Sequence, residues 1–327
     1  MSTGPASYAE LEVTRVREEA DGVVGLTLTD PLGGELPAWE PGAHAEVVLP
    51  NGLVRHYSLC SDPTDRRRWR VAVLREAAGR GGSAFVHDEL RPGTKVRARL
   101  PRQGFAFGAD GPVLFIAGGI GITPLLPMMR AAEGAGIAWR LVYLGRSRAR
   151  MAFLGEIAAL HSAAGGGGRV TVHASGESGP FDLVGLIDGL AAGETVYACG
   201  PERLLAALEE HPVLAAEPGR LRTERFAPGN GAPPGPGPQD RAFMVETSDG
   251  TEVLVPPGVS ILDALDAAGF RTLSSCRSGT CGTCETPVLA GVPDHRDSLL
   301  TDDERAAGET MMLCVSRCSG ERLVLDL

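Results

Sequence analysis

The sequence predicts a multi-domain chain: an antiparallel β-barrel, then a doubly wound α/β layer, then a small mixed α+β sheet. Three observations carry this reading. Short β-branched segments fill the first ~109 residues, strand and helix alternate strictly from Pro112, and a stretch rich in proline and glycine sets the last part of the chain apart. With domains of about 100–150 residues, a chain of 327 accommodates two or three of them.

Leu11–Arg17, Val23–Thr29, Ala45–Leu49, Arg55–Ser61 and Arg68–Arg75 read as strands, each bounded by Gly, Pro, Asp or Asn. Gly81-Gly82-Ser83 opens a short helix before the strand Lys95–Leu100, which suggests a small closed barrel. From Pro112, the apolar strand Val113–Ala117 precedes a glycine turn and the helix Pro124–Ala132. Trp139–Leu144, Arg169–His173 and Thr195–Ala198 follow as parallel strands, separated by helices, and Arg220–Phe226 closes the layer. Ala227 to Asp240, with five prolines and four glycines, can be neither strand nor helix and reads as a linker. Beyond it come a hairpin, Phe243–Thr247 and Glu252–Val255, a helix Ser260–Ala268, and strands Met311–Val315 and Arg322–Leu327. The expected division is 1–109, 110–227, a linker 228–240, and 241–327.

A net charge of −10 argues against nucleic acid as a partner. The last 87 residues carry 14 acids against 7 Arg, a balance suited to transient docking on a basic surface. The uncharged run Gly111 to Met129 contains three prolines and four glycines, so it reads as buried strand, turn and helix rather than a membrane span. Seven cysteines behind an N-terminus with no export signal point to the cytoplasm, where cysteines hold metal or do chemistry.

Cys276, Cys281 and Cys284 stand in C-x4-C-x2-C spacing, and Cys314 follows after a gap of 29. This is the ligand pattern of a plant-type [2Fe–2S] ferredoxin, a β-grasp fold, and four thiolates complete the set for two irons. The small residues Ser278, Gly279, Thr280, Gly282 and Thr283 let a loop close around a cluster and aim N–H groups at its sulfurs. Zinc on Cys281 and Cys284 is the alternative, but a zinc ribbon needs a second C-x2-C pair and none occurs.

Arg55-His56-Tyr57-Ser58-Leu59 is the second constellation. On a strand, Arg55, Tyr57 and Leu59 share a side, offering a planar fork for phosphate and an aromatic body for a flavin ring, with the Ser58 hydroxyl nearby. Arg80-Gly81-Gly82-Ser83 at a helix start adds a second phosphate-binding element. The third constellation, Gly118-Gly119-Ile120-Gly121-Ile122-Thr123-Pro124, lies between strand and helix, where backbone can approach a pyrophosphate. Cys199-Gly200-Pro201 ends a later strand, with Pro201 expected as the first helical residue.

In this order R-x-Y-S, GG-x-G-x-TP, CGP and the cysteine loop resemble the phthalate dioxygenase reductase family, over nearly the whole chain. The resemblance implies an FMN barrel, an NAD(P)H domain and a [2Fe–2S] domain in one polypeptide. It further implies that Arg55, Tyr57, Ser58, Arg80, Gly82 and Ser83 hold FMN, and that Gly118, Gly119, Thr123 and Cys199 surround the nicotinamide nucleotide. Glu224 and Phe226 match the end of the family's nucleotide domain, with Phe226 over the flavin, so Ser58, Cys199 and Phe226 would flank the reacting atoms. The implied activity is that of an oxygenase reductase: hydride passes from NAD(P)H to FMN, and single electrons leave through the cluster. The partner would be a Rieske-type oxygenase or a cytochrome P450, served by a monomer. The rival expectation is an electron-transfer subunit that does not itself oxidise NAD(P)H.

Two departures accompany the resemblance. Cys318, four residues after Cys314, has no place in the four-cysteine pattern. The segment Gly145-Arg146-Ser147-Arg148-Ala149-Arg150 has no acid before Glu156, so Arg146 and Ser147 favour a 2′-phosphate over free ribose hydroxyls.

Overall fold

The β-branched segments near the N-terminus pair into one antiparallel sheet. In the computed structural model, residues 8–327 are described, apart from 78, 80, 164–168, 227–235, 238, 275, 276, 278, 280, 281, 298 and 301. The sheet contains β1 (Ala9–Ala20), β2 (Val23–Thr29), β3 (Ala43–Val48), β4 (Val54–Ser58), β5 (Trp69–Leu74), β6 (Lys95–Ala98) and β7 (Arg102–Gln103). Its order is β4-β3-β6-β1-β2-β5, with β7 on β3. The end strands β4 and β5 meet without a ladder, and Cys60 N–H donates to the Arg70 carbonyl across that seam at 2.8 Å. The barrel is filled by alternating inward residues such as Val13, Leu26, Leu28, Val47, Val71 and Val73. Helix α1 (Gly82–Glu89) covers one end, with Val86 in the core.

The parallel layer follows: β8 (Val113–Gly118), α2 (Ile122–Gly134), β9 (Trp139–Gly145), α3 (Leu154–Ala163), β10 (Val170–Ala174), α4 (Ser175–Ser178), α5 (Leu183–Asp188), β11 (Thr195–Cys199), α6 (Glu202–Glu209), α7 (Pro212–Ala215) and β12 (Leu221–Glu224). The order β10-β9-β8-β11-β12 is parallel throughout and reverses direction of winding between β8 and β11. That switch point is where open α/β sheets bind ligands, beyond the carboxyl ends of the strands. Buried on both faces, β8 needs a continuous apolar run: Phe115 packs on one side with Tyr197, Leu114 and Ile116 on the other with Val196. The first of these cores also holds Val23, Cys60, Ala72 and Phe105, so barrel and layer share an interior and form one unit, Met1–Phe226.

Charge reinforces that shared core. Glu156 on α3 receives both arms of Arg70 from β5, at 2.5 and 2.8 Å, and Arg130 from α2 at 2.5 Å. Burial disfavours the Glu156 carboxylate, but the hydrogen bonds and charge of Arg70, joined by Arg130, hold it below the ordinary glutamate value. Glu156→Ala would leave two half-buried guanidinium groups without their carboxylate. It is expected to cost about 2 kcal/mol in urea denaturation at pH 7. Since the folded-state value is depressed, the wild-type advantage should be present at neutral pH and fade as pH drops through the glutamate range.

The second unit, Ala227–Leu327, has its own core. It contains β13 (Phe243–Thr247), β14 (Glu252–Val255), α8 (Ile261–Ala267), β15 (Glu285–Ala290), β16 (Pro293–Asp294), α9 (Asp302–Ala307), β17 (Thr310–Met312), β18 (Arg317–Cys318) and β19 (Arg322–Leu325). The main sheet runs β14-β13-β19-β15-β17, with β13 and β19 parallel and its other pairs antiparallel. Ile261, Leu262 and Leu265 of α8 pack into that core, giving a β-grasp arrangement.

Most of the expected linker lies outside the described residues. Its last residue, Asp240, belongs structurally to the second unit. It takes both arms of Arg296, at 3.0 and 2.8 Å, and lies 3.3 Å from the buried Arg317. The Arg296 hydrogen bonds, against a smaller cost of burial, hold its carboxyl at about 2. Among the described residues no helix is long and apolar enough to cross a membrane, and the uncharged run 111–129 divides into β8 and α2.

Three elements differ from expectation, the first being the strand expected over Arg55–Ser61, which ends at Ser58. The strand expected over Met311–Val315 stops at Met312, because the chain turns there, with Val315 and Ser316 N–H groups on the Met312 carbonyl. Pro201 precedes α6 rather than opening it. Its ψ of 147° is extended, and its carbonyl accepts from Leu204 at 2.8 Å.

Candidate functional site

Arg55 and Tyr57 stand on β4 beside the start of α1. Gly81 precedes that helix at φ 77° and has no side chain to cap it, and an uncapped helix start presents N–H groups to a ligand. The Arg55 guanidinium lies against the same turn: a Cβ on Gly82 would sit 2.7 Å from its central carbon. A planar cation and a helix N-terminus thus converge on one spot, a fit for a phosphate group. The Ser83 hydroxyl holds the turn by accepting from Glu76 N–H at 3.1 Å. Arg80 lies outside the described residues.

The Tyr57 hydroxyl is buried with no hydrogen-bond partner among the described residues, and burial raises its pKa despite Arg55 nearby. An orphaned phenol on the phosphate-cradle strand fits a ring system that would stack on the tyrosine and reach its hydroxyl. Leu59 does not face this site. It is fully enclosed in the barrel core, and only its backbone could contribute.

Ser58 lies at the other edge of β4, where its hydroxyl donates to Glu224 Oε2 at 3.4 Å. Glu224 is directly opposite Cys199 in the β11–β12 ladder, so residues from three strands meet at one place. Burial pushes the Glu224 carboxyl up to about 8, with the Ser58 hydrogen bond pulling the other way. Burial and the neighbouring Glu224 charge together raise the Cys199 thiol well above its ordinary value. Near neutral pH the trio is therefore a hydroxyl, a protonated carboxyl and a thiol. It can hold or hand on a proton without placing a charge at this junction of three strands.

Glu224→Gln tests this state. Glu224 keeps its proton in the folded protein between the ordinary value of 4.5 and about 8, whereas the unfolded chain loses it there. Wild-type stability should thus fall across that window relative to the Gln variant, by about 4 kcal/mol between pH 5 and pH 9. Urea midpoints at the two pH values measure it, and parallel changes in both proteins would mean that Glu224 ionises freely.

On the nucleotide side, the turns after β8 and β11 interlock. A Cβ on Gly118 would lie 2.5 Å from Pro201 Cδ, and one on Gly200 would lie 2.9 Å from Gly118 Cα. Gly119 has φ 55°, and α2 begins with no side-chain cap. Thr123 is buried and donates to the Ile120 carbonyl at 3.0 Å, so its hydroxyl shapes the turn. These turns open into a cleft of about 930 Å³, lined by Gly118, Gly119, Ile120, Arg146, Arg150 and Arg203, with Val23 and Leu74 from the barrel. His173 and Phe181, edge to face at 5.2 Å, form an aromatic wall.

Of the expected residues, Gly118, Gly119 and Arg146 line the cleft, whereas Ser147 uses its carbonyl to accept from Arg150 N–H at 3.1 Å. Phe226, the last residue of the first unit, is 50% exposed. Arg203, His173 and Phe181 were not singled out in the sequence, and Arg150 stood there only as the end of the segment after β9. A motif-centred reading sees only the glycine turn and the segment after β9.

In the second unit, Cys276 and Cys281 lie outside the described residues, and Cys284 and Cys314 are buried. Leu313 N–H donates to the Cys284 carbonyl at 3.2 Å, so the turn that ends β17 sets these two cysteines side by side. Gly279, at φ 70°, packs against the same turn, since a Cβ there would meet Val315 Cγ2 at 2.6 Å. Arg277 ties the loop to α8 through Asp263 at 2.6 Å and Asp266 at 3.2 Å. Two buried cysteines on neighbouring turns, with Gly279 packed against one of those turns, fit the ligand chemistry of an iron–sulfur cluster. Cys318 is engaged elsewhere, with Gly320 N–H donating to its sulfur at 3.3 Å.

A barrel with a phosphate cradle, a nucleotide cleft and a cysteine-loop domain define an NAD(P)H-dependent flavin and iron–sulfur oxidoreductase. Residues 244–319 match the 2Fe-2S iron-sulfur cluster binding domain family. The chain is 41% identical over 319 residues to phenoxybenzoate dioxygenase subunit beta of Ectopseudomonas oleovorans, covering 97% of each. A solved phthalate dioxygenase reductase, described as modular for electron transfer from pyridine nucleotides to [2Fe–2S], matches with TM-score 0.69 and 35% identity, covering 98% of both chains. An intact type IV self-sufficient cytochrome P450 monooxygenase matches at TM-score 0.80 and 40% identity over 98% of this chain, which spans only 41% of that one. The chain belongs to the phthalate dioxygenase reductase family.

Proposed function

We propose that the chain is the reductase component of an oxygenase system, holding FMN in the barrel, NAD(P)H in the cleft and a [2Fe–2S] cluster on Cys276, Cys281, Cys284 and Cys314. The observation that carries the reading is the meeting of Ser58, Glu224 and Cys199 within the unit that also holds the nucleotide cleft. Bound flavin would accept a hydride and release single electrons, and a cluster takes them one at a time. The chain's own residues do the rest. Arg55, with Arg80, Gly82 and Ser83, binds a terminal phosphate, which favours FMN. Tyr57 and Phe226 enclose the ring, Ser58 and Glu224 hold a proton beside it, and Cys199 walls the nicotinamide position. The terminal acceptor is a Rieske-type oxygenase or a cytochrome P450, and the reductase serves it as a cytoplasmic monomer.

Anaerobic titration with NADH and NADPH, followed by visible absorption, should bleach a flavin band and then a cluster band. Acid release of the flavin and mass spectrometry should return FMN. Release of FAD would refute the phosphate assignment alone. A protein that neither nucleotide reduces, although dithionite does, would refute the reductase reading.

A further inference from the structure

We infer that this reductase selects NADPH, and that Arg146 and Arg150 form the clamp for its 2′-phosphate while Arg203 serves the pyrophosphate. The inference rests on the reductase reading above and names the donor for that same cleft.

Three guanidinium groups, those of Arg146, Arg150 and Arg203, line the cleft, and none forms an ion pair or a side-chain hydrogen bond with any described residue. Elsewhere in this unit arginines find carboxylates readily, as Arg70, Arg130, Arg140 and Arg225 do. Like charges gathered on one cavity without counter-ions disfavour one another unless the cavity receives an anion. Arg203 makes the point more sharply. It lies in the first turn of α6, where the helix dipole disfavours a cation and an anion bound at that helix start would offset the cost. No Asp or Glu lines the cleft among the described residues. The acids nearest these arginines along the chain are engaged elsewhere: Glu156 pairs with Arg70 and Arg130, Glu202 pairs with Arg225, and Glu177 accepts from Arg148 N–H at 3.1 Å.

The placement of the three divides the work. The pyrophosphate belongs on the Gly118–Ile120 turn and the uncapped start of α2. Arg203 is next to that turn, since its chain neighbour Leu204 would be 3.0 Å from a Cβ on Gly118. Arg146 and Arg150 follow β9, one strand further out, where the adenosine ribose lies in doubly wound folds. An acidic residue there would take a free 2′-hydroxyl, and an arginine accommodates a 2′-phosphate. That group carries nearly two negative charges near pH 7, which two guanidinium forks match and a ribose hydroxyl does not.

The test compares NADPH and NADH as donors for ferricyanide reduction by the flavin- and cluster-loaded protein, in wild type and in Arg146→Ala, Arg150→Ala and Arg203→Ala. Wild type should prefer NADPH. Arg146→Ala and Arg150→Ala should each lower kcat/KM for NADPH about 10- to 100-fold, with NADH changed far less. Arg203→Ala should lower both donors alike. Calorimetry gives a readout independent of turnover: 2′,5′-ADP should bind wild type much more tightly than 5′-AMP, and Arg146→Ala and Arg150→Ala should erase the difference. Preference for NADH, or equal losses on both donors in the Arg146 and Arg150 variants, would overturn the assignment while leaving the reductase reading intact. Failure of both donors, with dithionite still bleaching the protein, would remove the reductase reading and this inference with it.

Discussion

Gly121→Ala is expected to abolish reduction by pyridine nucleotide while leaving the protein reducible by dithionite. A Cβ at this position would lie 2.1 Å from the Cys199 carbonyl oxygen and 2.8 Å from the Gly200 nitrogen. Both neighbours are backbone, so no rotamer change relieves the clash. The turn after β8 must move away from the turn after β11, and these two turns lie together at the sheet edge where doubly wound folds bind their ligands. The same shift disturbs Cys199 and, across the ladder, Glu224. Overpacking of this kind costs about 1–3 kcal/mol, which a unit with a shared core of this size should survive. Stopped-flow mixing with NADPH and NADH should therefore show at least a 100-fold loss in flavin reduction, with a cluster signal unchanged on dithionite addition. Gly134→Ala is the control, because nothing lies within 4 Å of its added Cβ. If Gly121→Ala reduces normally, the two turns do not form the nucleotide edge.

What could be read from the sequence depended on whether a local pattern carried the information. The hairpin β13–β14 is readable from the turn residues Ser248-Asp249-Gly250 between its two strands, and Phe243, Val245, Val253 and Val255 point into the core. The apolar run of β8 was equally plain, because a strand covered on both faces cannot alternate. The cysteine spacing and the glycine turns were legible for a related reason, since each is fixed by the geometry of its own loop. Contacts between distant segments were not legible. Nothing near Arg70 in the chain indicates that it will share Glu156 with Arg130, and Arg203 acquires its meaning only when α6 lies beside the β8 turn. Strand periodicity placed Leu59 on the side of Arg55 and Tyr57, but β4 ends at Ser58 and Leu59 enters the core. Pro201 misled for the converse reason. Proline suits a first helical position, but here it stands one place earlier, as the extended residue that precedes α6.

Cys314→Ala is expected to yield a protein that takes electrons from pyridine nucleotide and cannot pass them on. Cys314 sits on the turn that ends β17, beside Cys284 through the Leu313–Cys284 hydrogen bond, and no other described cysteine is placed to replace it. Cys318, four residues on, is held with its sulfur on Gly320 N–H and on the Arg322 carbonyl, within the β16–β18 pair. Bringing it to the loop would break that ladder. The variant should thus lose its cluster absorption and electron paramagnetic resonance signal, and cytochrome c reduction should fall at least 100-fold. Ferricyanide reduction, which can draw on the flavin directly, should stay within about twofold of wild type. Since a ligand that binds only the folded state stabilises it, the second unit should also melt at a lower temperature. Cys318→Ala should keep cluster, signal and cytochrome c activity. Loss of the cluster there, with retention in Cys314→Ala, would transfer the fourth ligand to Cys318 and require the segment after β17 to refold around it.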